Sequence, residues 1–366
     1  MAETVRIGLI GAGFVSDIHA EAIQRHVRNA EIVAVASRTE EKALAFSVRH
    51  EIPHAYGDYR ALLERPDIDM VTVAIPNDLH CTAVCDAAAA GKHVVCEKPL
   101  ARTLGEADRM IAACAAAGKL LFYAEELLFA PKYVRAKQLV DEGALGTPFL
   151  VKQWEEHDGP HEPWFWDVNR SGGGVVFDMG CHSIEYARWV FGKPAVESVS
   201  ATLGTFVHAD KTRGEDHSIV TVEYEGGFIG LAENSWAKGG GVDDRAEIYG
   251  TTGHTRADLL HGNALRTYSQ TGYGYAVEKS GGTVGWSSTM FEEAWNYGFP
   301  QEFQHFVDCV LGRATPIETG EDGREVLKII LAAYQSAGEG RKIAWPYDPP
   351  PYEKPIDLWL SPRQND

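Results

Sequence analysis

Val5-Arg6-Ile7-Gly8-Leu9-Ile10 runs directly into Gly11-Ala12-Gly13-Phe14-Val15-Ser16, and then into Asp17-Ile18-His19-Ala20-Glu21-Ala22-Ile23. The first run is a short apolar strand, the second a glycine turn, and the third carries helical spacing of its apolar residues. Gly11 allows a tight turn and Gly13 lets the backbone come close to a pyrophosphate. The helix that follows offers free N–H groups and the positive end of its dipole. Ser16 stands where such turns often carry a third glycine. A glycine-rich turn with no ligand is the plainer reading; the position between strand and helix argues against it.

Working outward, Glu31–Ala36 reads as a second strand that ends in Ser37-Arg38-Thr39 rather than in a carboxylate. Ser37 can hydrogen-bond a 2′-phosphate, and Arg38 can pair with it or stack on adenine, so the cofactor is NAD or NADP, with NADP slightly favoured. Residues 69–75 form a further strand that breaks at Pro76-Asn77-Asp78-Leu79-His80. His93-Val94-Val95-Cys96 is the next strand and ends in Glu97-Lys98-Pro99-Leu100, which sets a charged pair at the rim of the sheet and makes Lys98–Pro99 a candidate cis bond. Helices at 82–90 and 102–117 and a strand at 120–124 complete the alternation. This is an α/β Rossmann domain, a doubly wound parallel sheet, over residues 1–125.

Beyond that point the pattern changes. A helix is expected over 131–142, then strands at 149–156, 196–208, 217–224, 228–236, 246–249 and 264–269, many of them joined by turns such as Glu225-Gly226-Gly227. Helices follow at 302–311 and 321–338. The expectation for 126–345 is an α+β domain with a large open, mostly antiparallel sheet, and for 346–366 a proline-rich tail along the surface. A one-sided sheet must cover its other face, so a homodimer or homotetramer through this sheet is expected.

Composition limits the partners. Of 366 residues, 34 are basic and 52 acidic, giving a net charge of −18, which argues against nucleic acid and anionic membranes. No apolar run is long enough to span a bilayer, and no basic-then-apolar leader precedes Val5, so the expected location is cytoplasmic. The six cysteines are sparse, and Cys81 and Cys85 have no second pair to complete a zinc site; reduced thiols are expected.

Two stretches of the second half carry chemistry. Gly172-Gly173-Gly174-Val175-Val176-Phe177-Asp178-Met179-Gly180-Cys181-His182 leads into a helix on which Asp178 and His182, four apart, share a face. A carboxylate near an imidazole suits a general base, and a capping Asp with a core His is the plainer alternative. In residues 157–171, aromatic rings alternate with polar groups, which suits a carbohydrate: His161, Trp166 and Asn169 are candidate pocket residues. His157, Asp158 and His161 could also be metal ligands, but hydride chemistry requires no metal and none is expected.

With these marks in order, the chain resembles the Gfo/Idh/MocA oxidoreductases, the glucose–fructose oxidoreductase and inositol dehydrogenase family. The resemblance rests on Gly11-Ala12-Gly13, Pro76-Asn77 with His80, Glu97-Lys98-Pro99, Gly172-Gly173-Gly174 with Asp178 and His182, and Thr319-Gly320-Glu321-Asp322-Gly323. It implies hydride transfer between a nicotinamide and a secondary hydroxyl or ketone of a sugar, glycoside or cyclitol, C3 of a hexose being one candidate position. It implies Lys98 on the reacting oxygen, Asp178 orienting substrate, and His182 as acid/base. The cofactor set it implies is Gly11, Gly13, Phe14, Val15, Ser37, Arg38, Pro76, Asn77, His80, Glu97 and Lys98. Glu125, at a strand end where many relatives carry Asn or Arg, joins the candidate substrate residues. Two other functions fit the same fold: a reductase of an unsaturated ring or imine, and a non-catalytic NAD(P)-binding regulator. Lys98, Asp178 and His182 together favour the enzyme, since a sensor needs no base.

Overall fold

A computed structural model describes residues 4–260, 265–272, 283–289 and 292–360. The chain divides into two compact units, one of residues up to Phe129 with Gly298–Leu327, the other of Ala130–Tyr297 with the residues from Lys328 onward.

The first unit is built on β1 (Val5–Ile10), α1 (Phe14–His26), β2 (Ala30–Ala36), α2 (Glu40–Arg49), β3 (His54–Tyr56), α3 (Tyr59–Leu63), β4 (Met70–Val73), α4 (His80–Ala89), β5 (His93–Glu97), α5 (Leu104–Ala116) and β6 (Leu121–Ala124). The six strands pair in parallel in the order β3-β2-β1-β4-β5-β6, the doubly wound arrangement expected. Parallel strands covered on both faces must be apolar throughout, and β4 and the inner residues of β5 are buried without alternation.

The segment 298–327 falls inside the span expected for the second domain, but it packs with the first unit. Its α11 (Phe299–Val310) lies against α1, and Phe303, Phe306 and Val307 join the core of Ile7, Leu9 and Val35. Phe303 and Phe306 are 0% exposed, and at about 1.5–3 kcal/mol for each large apolar side chain this burial fixes where α11 belongs. An amphipathic helix shows in its sequence that it has a core to face, but not which core.

The second unit comprises α6 (Pro131–Asp141), β7 (Pro148–Glu156), α7 (Val168–Ser171), α8 (Val175–Asp178), α9 (Gly180–Val190), β8 (Val196–Gly204), β9 (His217–Tyr224), β10 (Phe228–Ser235), β11 (Asp243–Gly250), β12 (His254–Asp258), β13 (Leu265–Ser269), β14 (Gly285–Thr289), α10 (Glu293–Tyr297), most of α12 (Gly320–Glu339), β15 (Ile343–Ala344) and α13 (Asp357–Leu360). Seven strands form one sheet in the order β12-β11-β7-β10-β9-β8-β15, antiparallel except for β7 beside β10. The expected strand 264–269 begins outside the described residues, and β13 pairs only with β14, apart from this sheet. β8 stops at Gly204, short of the expected His208. The backbone N–H groups of Phe206, Val207 and His208 turn away to the Asp216 carboxylate, at 2.8, 2.7 and 2.8 Å. The tail forms no regular element from Pro346 to Ile356, then closes on α13.

α9 covers one face of β7, β10 and β9. Beneath it, Asn234 Nδ2 donates to Ser183 Oγ at 2.9 Å, Ser183 bonds Gln153, and Gln153 Nε2 donates to Asp244 at 3.1 Å, which links these four buried side chains in one chain of hydrogen bonds. No helix of the described residues is long and apolar enough to cross a membrane, and all six cysteines are free thiols.

Candidate active site

In the first unit, the carboxyl ends of β1, β4 and β5 share one rim. Gly11 has φ +123°, and a Cβ there would lie 2.1 Å from the carbonyl oxygen of Ala74, so the turn after β1 admits only glycine. Gly13 differs. It caps α1 with no side-chain bond to the first turn, and a Cβ built on it meets nothing within 4 Å. The open side of Gly13 and the uncapped N–H groups of α1 fit a pyrophosphate. A Gly13→Ala chain should therefore fold normally yet bind dinucleotide at least tenfold more weakly, as read by titration calorimetry; unchanged affinity would show that no phosphate approaches there. Ser37 is half-buried and donates its backbone N–H to Tyr56, while Arg38 is exposed at the end of β2. Such a guanidinium stacks on adenine as readily as it pairs with a phosphate.

Two residues expected at the cofactor turn inward. His80 is 0% exposed; its Nε2 lies 2.8 Å from the Ile75 carbonyl and its Nδ1 3.2 and 3.3 Å from those of Pro99 and Leu100. Neither ring nitrogen is left for a cofactor, and the ring instead ties the Pro76-Asn77 turn to the segment after β5. Burial lowers its pKa, against the pull of those carbonyls. Glu97 is 8% exposed, with Oε1 2.9 Å from His19 Nε2 and Oε2 accepting the backbone N–H of Lys98 at 3.2 Å. Burial would raise its pKa, but the hydrogen bond and charge of His19, helped by Lys98, hold it below the ordinary value. Glu97 thus anchors the peptide that carries Lys98, whose side chain is half-buried and whose bond to Pro99 is cis. His19, packed on Phe303 at 4.7 Å between ring centroids, is a residue that sequence reasoning missed; within its helix it reads as one more inward position. Glu125 is fully buried, and with Glu126 and Glu97 it lies close enough to Glu302 to raise that carboxyl well above the ordinary range, burial being the larger cause.

In the second unit, three glycines bring the chain to Asp178 for three reasons. Gly172 takes φ +98° and ends α7. A Cβ on Gly173 would meet the Tyr334 hydroxyl at 2.0 Å, and one on Gly174 the Glu215 carbonyl at 2.1 Å. Glu215 is completely buried. Its Oε1 accepts from Val176 N at 2.9 Å and the Tyr334 hydroxyl at 2.8 Å, and its Oε2 from Gly174 N at 3.3 Å. Burial pushes its pKa up to about 7 despite these bonds. The carboxylate therefore holds the start of α8, the helix that ends on Asp178.

The expected single helix is two: α8 ends at Asp178, Met179 intervenes, and α9 carries His182. Asp178 is 7% and His182 2% exposed. Trp236, fully buried, donates Nε1–H to Asp178 Oδ2 at 3.3 Å. Trp166 packs edge-on against Trp236 at 5.2 Å between centroids, and His208 packs against Trp166 at 4.9 Å. Trp166 and Asn169 line a cavity of about 540 Å³. His161 is exposed and outside that lining. With His157 turned inward and accepting from Gly159 N at 3.1 Å, and Asp158 exposed, residues 157–161 form no metal-holding group. Glu215 and Trp236 were not legible in sequence, since an acid in a Gly-Glu-Asp turn and a tryptophan at a strand end carry no local signal of what they touch.

Comparison with known proteins agrees with this architecture. Residues 5–125 match the model described as oxidoreductase family, NAD-binding Rossmann fold, and residues 133–256 match the GFO/IDH/MocA C-terminal domain. The crystal structure of GenD2 from gentamicin A biosynthesis, in complex with NAD, is 31% identical with a TM-score of 0.88, covering 95% of this chain and 98% of that one. Myo-inositol 2-dehydrogenase of Thermotoga maritima is 28% identical, over 93% of this chain and 98% of its own length. D-apiose dehydrogenase of Paraburkholderia graminis is 28% identical, over 92% and 88%. The chain belongs to the GFO/IDH/MocA family of oxidoreductases.

Proposed function

We propose that the chain is an NAD-dependent dehydrogenase of a sugar, glycoside or cyclitol, oxidising a secondary hydroxyl. The observation that carries the reading is the burial of an acid and an imidazole, Asp178 and His182, on a segment that Glu215 and three glycines hold in place. Burying such groups is costly unless they are hydrogen-bonded or paired, and buried titratable groups of this kind cluster at functional sites. Bound NAD supplies the hydride acceptor. Lys98 places an ammonium on the reacting oxygen and stabilises the negative charge that develops as its proton leaves. His182 takes that proton, and Asp178, fixed by the Trp236 indole, orients the substrate. A panel of aldoses, glycosides and cyclitols assayed with NAD at the absorbance of reduced nicotinamide tests this. Turnover of at least one of them is expected; reduction of imines or unsaturated rings with no polyol oxidation would replace the reading.

We also place the protein in the cytoplasm as a homo-oligomer assembled through the second sheet. On the face away from α9, Ile219 and Ile229 are each 38% exposed, and Leu150 and Leu231 beside them are half-exposed. Ile229→Asp should leave the fold intact and reduce the mass seen by light scattering to that of one chain. A variant with the parent's mass would move the interface elsewhere.

A further inference from the structure

Trp166 and Asn169 line a cavity of the second unit. The geometry points to a second carbohydrate subsite there, one that holds the outer ring of a glycoside whose inner ring is oxidised. This rests on the dehydrogenase reading and deepens it by naming a substrate of at least two rings.

Three segments of the second unit border this space, which is open to solvent: residues 163–169, 209–213 and 354–360. Its volume of about 540 Å³ is within the range of small-molecule sites. The charges of the lining balance. Lys211, Arg213 and Lys354 stand against Asp167, Asp210 and Asp357, so the cavity does not select an anion or a cation. Two of the acids are already engaged. Asp167 accepts from Asn169 N and Nδ2, both at 3.0 Å, and Asp357 accepts from Lys354 N at 2.9 Å. Asp210 and Arg213 are exposed and make no ion pair or hydrogen bond among the described residues. A carboxylate and a guanidinium left to bind, with no net charge, suit the vicinal hydroxyls of a neutral sugar.

Trp166 supplies the apolar part. Its indole is held before any ligand arrives: Gly159 has φ +113°, and a Cβ there would strike the ring at 2.9 Å, while His208 and Trp236 pack on it from other sides. Lys211 Nζ lies 5.2 Å from the ring centroid. A fixed indole in one lining with the half-buried Leu360 offers a surface to C–H faces at little entropic cost. Trp236, which packs on Trp166, also donates to the Asp178 carboxylate, so the cavity lining and Asp178 share a neighbour.

The test uses the full chain with NAD, a methyl glycoside, and a disaccharide containing the same reacting sugar. The disaccharide should have a kcat/KM at least tenfold higher, carried by KM. In Arg213→Ala and Asp210→Ala, both at exposed positions, the ratio of disaccharide to methyl-glycoside kcat/KM should fall about tenfold. Equal use of both substrates, or an unchanged ratio in both variants, overturns the subsite. Binding is read separately, from the quenching of tryptophan fluorescence by the disaccharide. If no sugar is oxidised but the disaccharide quenches the parent and not Arg213→Ala, the subsite stands and the dehydrogenase reading falls. If neither turnover nor quenching occurs, both fall.

Discussion

Replacing Lys98 with Met should lower kcat for polyol oxidation by about 10³-fold while the Kd for NAD stays within about twofold. Methionine keeps the length and apolar stem of lysine and removes only the charge, so packing is preserved and the ammonium is lost. The backbone that carries residue 98 is held independently of its side chain: β5 is paired on both edges, Glu97 bonds the Lys98 N–H, and His80 bonds the Pro99 and Leu100 carbonyls. The expected loss therefore reflects charge at the reacting oxygen rather than a displaced loop. Initial rates followed by reduced-nicotinamide absorbance, together with a fluorescence titration of NAD, separate the two effects. Turnover at the parent's rate would remove Lys98 from the reaction. A Kd raised by more than tenfold would make it a cofactor-binding residue instead.

The parts of the molecule that sequence made legible are those governed by local pattern. The strand–glycine–helix start, the alternation through β6 and the Gly-punctuated strands of the second sheet each follow from period and turn chemistry within a dozen residues. What stayed hidden depends on partners far along the chain. α11 joins the first unit because Phe303 and Phe306 fit a core made near the N-terminus. His80 and Glu97 look like rim groups in sequence, and only the positions of carbonyls at residues 75, 99 and 100 and of His19 show that they brace the rim from behind. The glycine run at 172–174 is plain in the sequence ahead of Asp178, but its necessity lies in Tyr334 and Glu215, which no pattern near it records.

Glu215→Gln should flatten the dependence of stability on pH. In the folded chain the Glu215 carboxyl titrates near 7, against an ordinary value of 4.5. The folded state therefore keeps a proton that the unfolded state releases between those values. Its contribution to stability is complete below pH 4.5 and is lost as pH rises through 7, by roughly 3 kcal/mol in all. Glutamine keeps an oxygen for Val176 N and the Tyr334 hydroxyl and cannot ionise, so urea midpoints of parent and variant should diverge in the variant's favour from pH 5 to pH 8. Glu215→Ala should instead cost on the order of 3 kcal/mol below pH 4.5, since it leaves the Val176 N–H without its acceptor and the Tyr334 hydroxyl, which still accepts from Gly174 N at 3.2 Å, without an acceptor of its own, and that cost should shrink as the parent's own stability falls toward pH 8. Activity gives the second readout. Because the carboxyl holds the first turn of the helix that ends on Asp178, its titration should appear as an inflection of kcat near pH 7 in the parent and vanish in the Gln variant, with KM for NAD unchanged. Parallel stability curves for parent and Gln variant across pH 5–8 would show that this carboxyl does not titrate there. An inflection near pH 7 that survived in the Gln variant would assign the pH response of catalysis to another group, and Glu215 would then be an anchor of the fold alone.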